Sequence, residues 1–347
     1  MPQTHDKDRI TIYDVAEEAG VAISTVSRVL NHSPDVSEAT KKKVQDVIDK
    51  LKFQPDRTAK SLAKRSTLTL AIAIPTFTTP FHNELLKGVR SQLQAVTGDS
   101  DLLLCDLGAD NPQEVLLSFL SRGTVDGLLL AGVPVTVALF EKLQRLHAPV
   151  VLVGHDHSEI DCFHWDNREG AELAVDHLVE RGHRRIGLIR SHTDGHLQLQ
   201  RIEGFKAGLE KAGIAYDETL VRSGKTSKHA GFSEENGYEA MLELLEIEPA
   251  VTAVFASSDV QAIGAMKAIN EAGKRVPEDI AVIGYDDIKT SYYIGLSSID
   301  QRMMDVGERA TEVLMRRVEG SLDEPPIDVT IHPTLHARRS TDIHRED

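Results

Sequence analysis

Three side chains near the N-terminus are of types that read the edges of DNA bases. Ile23, Ser24 and Arg28 lie within one short segment. An arginine can form two hydrogen bonds to guanine, a serine hydroxyl can donate or accept, and an isoleucine can contact a thymine methyl group. Neighbouring residues suited to phosphate contacts are Thr25, Ser27 and Asn31. The segment therefore has the chemistry of a nucleic-acid reader.

To act in this way, the segment must be a helix held against other helices. Apolar spacing predicts three short helices between residues 11 and 53, with a break at Gly20 and Val21 before the second. Thr11 is the predicted N-terminal cap of the first helix, and Ser37 of the third. Two helices joined by a tight turn form a helix-turn-helix, whose second helix fits the major groove. The same pattern also fits a three-helix bundle that binds proteins.

The distribution of charge along the chain also bears on whether the N-terminal segment binds nucleic acid. The chain of 347 residues has a net charge of −15, which taken alone disfavours a nucleic-acid partner. Residues 1–65, however, carry 12 Lys/Arg and 10 Asp/Glu, and residues 41–65 alone carry nine basic and three acidic side chains. A basic N-terminal part followed by an acidic body fits phosphate binding by the first part only. A solvated basic helix face is the alternative interpretation.

From Leu68 onwards, short apolar runs alternate with amphipathic helical stretches. This alternation is typical of parallel sheets with helices on both faces, and the number of units predicts two α/β lobes. The predicted strands include 70–74, 102–105, 127–130, 150–153, 186–189, 251–255 and 280–283. Ligands of such lobes bind at the carboxyl ends of the strands, in the crevice between lobes.

The N-terminal segment resembles the lactose-repressor (LacI/GalR) family of transcription regulators. The resemblance is carried by Thr11–Val21 and Thr25–Asn31, and it covers nearly the whole chain. Further segments similar to that family's landmarks are 59–63, 166–170, 276–280, 284–287 and 335–340. One departure is Ala22, where the family usually has a serine that caps the recognition helix.

The resemblance implies an α/β fold and an order of domains. Residues 1–56 are expected to form the helix-turn-helix domain, and residues 57–67 a hinge helix and linker. Residues 68–347 are expected to form a two-lobed effector-binding domain of the type I periplasmic-binding-protein fold. Lobe 1 is expected at about 68–165 and 298–330, and lobe 2 at about 166–297.

The resemblance also implies a role for the hinge. In the family, the hinge helices of a dimer lie together in the minor groove, and a leucine from each wedges into the central base step. Leu62 is the matching residue, and Ala59 and Ala63 flank it. Because such wedges unstack and kink DNA, the operator is expected to be a short inverted repeat with a deformable centre. Packing of Leu62 onto the next domain is the alternative.

Seven side chains of the body are candidates for effector binding. They are Phe81, His82, His196, Arg201, Phe232, Ser258 and Asp286. Six lie at positions that match the family's effector site, and His196 lies on a predicted loop after a strand. His82 stands where the family often has a second aromatic residue, and Ser258 where sugar-binding members often have asparagine.

Each of these candidates also has a simpler structural explanation. Arg201 could pair with Glu203 or Asp259, and Asp286 could form a turn with Asp287. The two phenylalanines could belong to the apolar core. For the histidine beside Phe81 and for the serine, the structural and functional explanations are equally balanced.

The sequence lacks the signatures of other function classes. It contains no Gly-Lys-Ser/Thr phosphate loop, Gly-x-Ser-x-Gly elbow or His-Glu-x-x-His helix, so neither an enzyme nor a cofactor is expected. The histidines and the two cysteines have no metal-ligand spacing. A periplasmic sugar-binding protein would share the body, but the polar N-terminus has no signal-peptide pattern and no apolar stretch approaches ~20 residues.

We therefore expect a cytoplasmic transcriptional regulator, a repressor that binds an inverted-repeat operator as a homodimer. Its expected effector is a sugar or sugar derivative, because that ligand class is frequent in the family. The polar C-terminal segment, residues 336–347, offers no apolar tail for assembly beyond the dimer.

Overall fold

The computed structural model describes residues 11–30, 36–51, 68–96, 100–108, 111–123, 125–146 and 148–342. The chain divides into two compact units, residues 1–67 and residues 68–347. Four residues predicted to contact DNA lie outside the described ranges, namely Asn31, Ala59, Leu62 and Ala63. None of the described helices is long and apolar enough to cross a membrane.

The first unit contains three helices. They are α1 (Ile12–Ala19), α2 (Ile23–Leu30) and α3 (Glu38–Leu51). Their apolar faces form one buried cluster of Val15, Ala16, Ala19, Val26, Val29, Val36, Val44 and Ile48. The Thr11 hydroxyl accepts from the Asp14 amide, and the Asp14 carboxylate accepts from the Thr11 amide at 2.6 Å, which completes the predicted cap. Gly20 ends α1 at φ 59°, a left-handed conformation that favours glycine.

The second unit contains twelve strands in the described ranges. They are β1 (Leu68–Ile74), β2 (Ser100–Asp106), β3 (Gly127–Ala131), β4 (Val150–Val153), β5 (Asp161–Trp165), β6 (Ile186–Ile189), β7 (Val221–Arg222), β8 (Ala253–Ala256), β9 (Ala281–Asp286), β10 (Ser297–Asp300), β11 (Asp328–Ile331) and β12 (Thr334–His336). One sheet has the order β11-β5-β4-β3-β1-β2 and the other the order β12-β10-β9-β8-β6-β7. All neighbouring strands are parallel except β10 and β12.

Helices cover both faces of the sheets. They are α4 (Pro80–Ala95), α5 (Pro112–Ser121), α6 (Val137–Leu143), α7 (Asn167–Glu180), α8 (His196–Lys211), α9 (Glu234–Leu245), α10 (Asp259–Glu271), α11 (Lys289–Ile294) and α12 (Met303–Val318). Short 3-10 turns occur at Glu218–Leu220, Lys228–Gly231 and Arg339–Thr341. Every residue of β3 and β9 is buried, because helices lie on both sides of these strands. The predicted two-lobed α/β fold is confirmed.

The chain passes between the lobes three times, after β5, after β10 and between β11 and β12. This differs from the predicted lobe boundary at residue 298. Ser298 and Ile299 pair with Gly284 and Tyr285 of β9, so lobe 2 continues through Asp300, and β12 returns to it after β11. The prediction was wrong here because β10 contains a single large apolar residue, which is too little to mark a strand.

Candidate functional site

The three predicted base-reading side chains share an exposed surface of α2. Ile23, Ser24 and Arg28 are all exposed, and Ile23 is accessible over 42% of its surface although it is a large apolar residue. Val26 and Val29, on the opposite side, are buried in the helical core. An apolar, a hydroxyl and a cationic group are therefore available to one partner surface.

Backbone and surface contacts support this helix. The amides of Thr25 and Val26 donate to the carbonyl oxygen of Ala22 at 2.8 and 3.2 Å, so the first turn forms without a side-chain cap. A 2.6 Å ion pair between Glu18 and Lys50 connects α1 to α3. Of the predicted phosphate contacts, Thr25 is half-buried and Ser27 lies within α2. The Thr11 hydroxyl is engaged by Asp14 in the helix cap.

In the second unit, Gln301 links the carboxyl ends of strands from both sheets. Trp165 ends β5, and its indole N–H donates to the backbone oxygen of Gln301 at 2.7 Å. The Gln301 side-chain amide then donates to Asp286 Oδ1, at the end of β9, also at 2.7 Å. Gln301 itself lies on the crossover after β10. The predicted effector acid is thus part of a cluster in the crevice between the lobes.

The predicted effector arginine belongs to the same cluster. Arg201 is buried, and its Nε donates to Asn167 Oδ1 at 3.0 Å while one Nη donates to Gln301 Oε1 at 3.4 Å. The other Nη donates to the carbonyl oxygen of Ser257, and the guanidinium lies 3.9 Å from the ring centroid of Tyr285. Neither Glu203 nor Asp259, the two alternative partners, forms an ion pair with Arg201. Three separate acceptors and an aromatic face therefore fix the guanidinium plane.

Asp286 has an unusual backbone conformation and an unusual charge environment. Its φ of 120° and the φ of 51° at Asp287 are both positive, a strained conformation for residues other than glycine. Burial raises the pKa of the Asp286 carboxyl to about 7, while the nearby Arg201 guanidinium acts in the opposite direction. Asp286 is therefore a buried acceptor, and Asp287 is tied separately to Arg338.

Lobe 1 contributes aromatic rings to this end of the sheet. Phe81 is half-buried, with its ring centroid 6.1 Å from that of Trp165 and 5.2 Å from that of His82. The Nδ1 atom of His82 lies 2.6 Å from the Thr79 hydroxyl. Burial and, to a smaller extent, the nearby His229 lower the pKa of His82 to about 4. His82 is therefore a neutral, planar side chain near pH 7.

Ser258 and Phe232 lie near each other, around Gln261. The Ser258 hydroxyl accepts from the Gln261 amide at 3.4 Å and so caps α10. The Gln261 side chain donates to the carbonyl oxygen of Gly231, the residue before Phe232, at 3.0 Å. Ser258 is buried and Phe232 half-buried. The Ser258 hydroxyl thus has a structural role in capping a helix.

One local prediction around α8 was wrong. The helix begins at His196, five residues before Arg201. His196 is therefore a helical residue rather than a loop residue, and it lies 3.0 Å from the Gln200 side chain. It remains exposed and is close enough to His155 to lower that residue's pKa, after burial as the main cause.

The effector contacts predicted from the sequence do not include Trp165, Asn167 or Gln301, although Asn167 lies in the landmark segment 166–170. Trp165 and Asn167 flank the first crossover, at the end of a strand that the apolar pattern does not reveal, and Gln301 follows another such strand. Their signal is positional, because each lies where a parallel strand ends. Recognising it requires that β5 and β10 be identified first.

Two groups of side chains bring one histidine near two carboxylates. They are Asp166, Glu169 and His332, and Asp287, Asp300 and His336. In each group the imidazole is hydrogen-bonded to a carboxylate at 2.5 Å, and in the second Arg338 also pairs with Asp287. These hydrogen bonds and the Arg338 ion pair explain why the side chains of each group lie together.

A separate groove of about 540 Å³ lies between α4 and the start of α11. Lys87, Arg90 and Lys289 are among its lining residues. None of the seven candidate effector side chains lines it, so this groove is separate from the cluster around Arg201 and Asp286.

Comparison with known proteins matches both units. Residues 11–56 match the model of the bacterial regulatory proteins of the lacI family, and residues 175–341 match a periplasmic binding protein-like domain. The chain is 35% identical to the HTH-type transcriptional repressor PurR of Vibrio atlanticus (strain LGP32), over 95% of this chain and 98% of that protein.

Solved structures agree with this comparison. A complex of the transcriptional regulator CelR with cellobiose is 32% identical, with a TM-score of 0.68, over 96% of this chain and 100% of that one. A lac repressor dimer bound to operator and the anti-inducer ONPF is 26% identical, with a TM-score of 0.74, over 96% of this chain and 99% of that one.

Proposed function

Since this chain belongs to the lacI family of bacterial regulatory proteins, which are DNA-binding transcription regulators and not enzymes, we propose that it is a repressor controlled by a small molecule. It binds a palindromic operator as a homodimer, as a related lac repressor dimer binds its operator. Two heads on one inverted repeat double the contact area and fix the spacing of the half-sites. A protein with this role acts in the cytoplasm, where the chromosome is.

The observation that carries this proposal is the exposed surface of α2. A largely accessible Ile23 beside Ser24 and Arg28 has no role in the helical core, and its chemistry matches that of base edges in the major groove. Thr11, Thr25, Ser27 and Asn31 are proposed to contact phosphates around it. Leu62, with Ala59 and Ala63, is proposed to enter the minor groove at the centre of the operator.

We propose that the effector is a sugar or sugar derivative that binds around Asp286 and Arg201. A buried carboxylate accepts hydrogen bonds from hydroxyl groups, and the half-buried ring of Phe81 offers an apolar face to a sugar ring. The relative solved with cellobiose supports this class of ligand. The remaining proposed contacts are His82, His196, Phe232 and Ser258.

The test is selection of bound sequences from random duplex DNA with the full-length protein, at a stated salt concentration. We expect enrichment of an inverted repeat with one fixed half-site spacing. The selected site then serves to screen sugars, beginning with cellobiose, for release or strengthening of DNA binding. Enrichment only after addition of a metabolite mixture would identify a corepressor. No enrichment under either condition would contradict the proposed function.

A further inference from the structure

One fully buried acid lies directly behind the candidate effector site. Asp259 is the first residue of α10, and its side chain is inaccessible to solvent. Its Oδ2 accepts from the Ile288 amide at 2.9 Å and from the Ser291 hydroxyl at 2.6 Å. Its Oδ1 accepts from the Ser298 hydroxyl at 2.6 Å. A carboxyl group with three donors from two other elements organises its surroundings.

What Asp259 organises is the turn that carries Asp286. Both Asp286 and Asp287 have positive φ values, and such backbone persists only where the surroundings hold it. The Ile288 amide is held by Asp259 directly. The Asp287 amide donates to the Ser298 hydroxyl at 3.0 Å, and that hydroxyl in turn bonds Asp259. One carboxyl group therefore restrains both amides that follow Asp286.

We propose that Asp259 is a positioning residue for effector recognition, which never meets the effector but holds the strained turn that presents Asp286 to the crevice. This inference rests on the proposed effector site. Asp259 thus shapes the effector site although it is not among the side chains that can touch a ligand.

The space around Asp259 is fitted to its carboxyl group. A Cβ atom added to Gly284, on β9, would lie 2.1 Å from Asp259 Oδ1, so no larger residue is compatible there. The charged groups that face Asp286 are Arg201 from α8 and Asp259 itself from α10. Burial and the proximity of Asp286 both raise the pKa of Asp259. The protonation of these two buried acids is therefore linked.

The chain provides its own reporter of this arrangement. Trp165 is the single tryptophan of the sequence, and Gln301 connects it to Asp286 by two hydrogen bonds. We would follow Trp165 emission of the full-length protein against pH, without ligand or DNA. The wild-type protein is expected to show a transition near neutral pH that Asp286→Asn abolishes.

The decisive variants differ in whether they release the turn. Asp259→Ala and Ser298→Ala are expected to lower the transition midpoint by about one pH unit or more, because a relaxed turn admits water to Asp286. Ser291→Ala is the matched control, since it removes a hydrogen bond to the same carboxyl group but none to the Asp287 amide. It is expected to leave the midpoint in place. Asp259→Asn removes the same charge as Asp259→Ala but keeps an acceptor for the Ile288 amide, so it is expected to lower the midpoint less than Asp259→Ala does.

An Asp259→Ala protein that folds and keeps the wild-type midpoint would overturn the proposal. If that variant does not fold, equal effects of the two serine variants would overturn it. The absence of a wild-type transition would do the same. Because the measurement needs neither operator nor effector, failure of DNA selection would leave its result standing, and the two failures can be told apart.

Discussion

The indole N–H of Trp165 donates to the backbone oxygen of Gln301 at 2.7 Å, and this bond connects the end of a lobe 1 strand to the crossover that leaves lobe 2. Gln301 also bonds Asp286 and Arg201 through its side chain. The environment of the single tryptophan therefore depends on the relative position of the two lobes and on the candidate effector site.

We predict that effector binding changes the emission of Trp165, because a ligand in the crevice alters the polarity around the indole ring. Fluorescence titration with cellobiose, followed by other sugars, measures this directly. Trp165→Phe should abolish the signal while DNA selection remains possible. A sugar that alters operator binding without changing Trp165 emission would contradict the proposed location of the site.

Arg201→Lys is predicted to be strongly destabilising although it keeps the positive charge. One ammonium group cannot reach the acceptors on Asn167, Ser257 and Gln301 together, and each buried acceptor left without a donor costs about 1–3 kcal/mol. Urea unfolding measures the loss in the free energy of unfolding.

The matched control for that substitution is Arg168→Lys. Arg168 is exposed and pairs with Glu172 four residues later on α7, so the same chemical change there is expected to alter stability by less than about 0.5 kcal/mol. Equal effects of the two substitutions would show that the buried hydrogen bonds of Arg201 contribute little.

The sequence predicted the architecture well because the buried strands carry uninterrupted apolar runs. β3 and β9, for example, lie under helices on both sides, so their composition alone identifies them. β10 was missed because it packs largely through small and polar residues, and with it Gln301. The family resemblance located Arg201 and Asp286. The bonds that join them through Gln301 depend on long-range geometry, which no local pattern encodes.

His82 is predicted to make the second unit less stable in mild acid. Its pKa in the folded protein is lowered from the ordinary value of 6.5 to about 4, so the folded state favours the neutral ring. The stability it contributes is therefore present above pH 6.5 and is lost as the pH falls from 6.5 towards 4. His82→Phe, which restores a second aromatic residue, should flatten this part of the stability profile.

Thermal unfolding at pH 7.5 and pH 5 measures this difference. His332→Gln is a useful comparison, because the Glu169 carboxylate raises the pKa of exposed His332 and its contribution has the opposite dependence on pH. If His82→Phe loses as much stability on acidification as the wild-type protein does, His82 is not the group responsible.

Ala22→Ser is predicted to stabilise the first unit. Ala22 precedes α2, and its carbonyl oxygen already accepts from the amides of Thr25 and Val26, but its side chain caps nothing. A serine hydroxyl could accept from one of the free amides of the first turn, which is worth about 0.5–2 kcal/mol. Slower hydrogen exchange at the amide of Ser24 would register the gain, whereas Ala22→Gly should not produce it.

Arg28→Ala is predicted to relax sequence specificity more than it weakens binding to random DNA. If the exposed guanidinium bonds a guanine in each half-site, its loss removes about 1–3 kcal/mol of discrimination at that one base pair. Lys42→Ala, on the exposed surface of α3, removes an equal charge without a base contact and is the matched control. Its effect, if any, should be uniform across sequences and screened by salt. Repeating the DNA selection with both variants distinguishes these outcomes, and an unchanged preference at every position with Arg28→Ala would exclude a base contact by this residue.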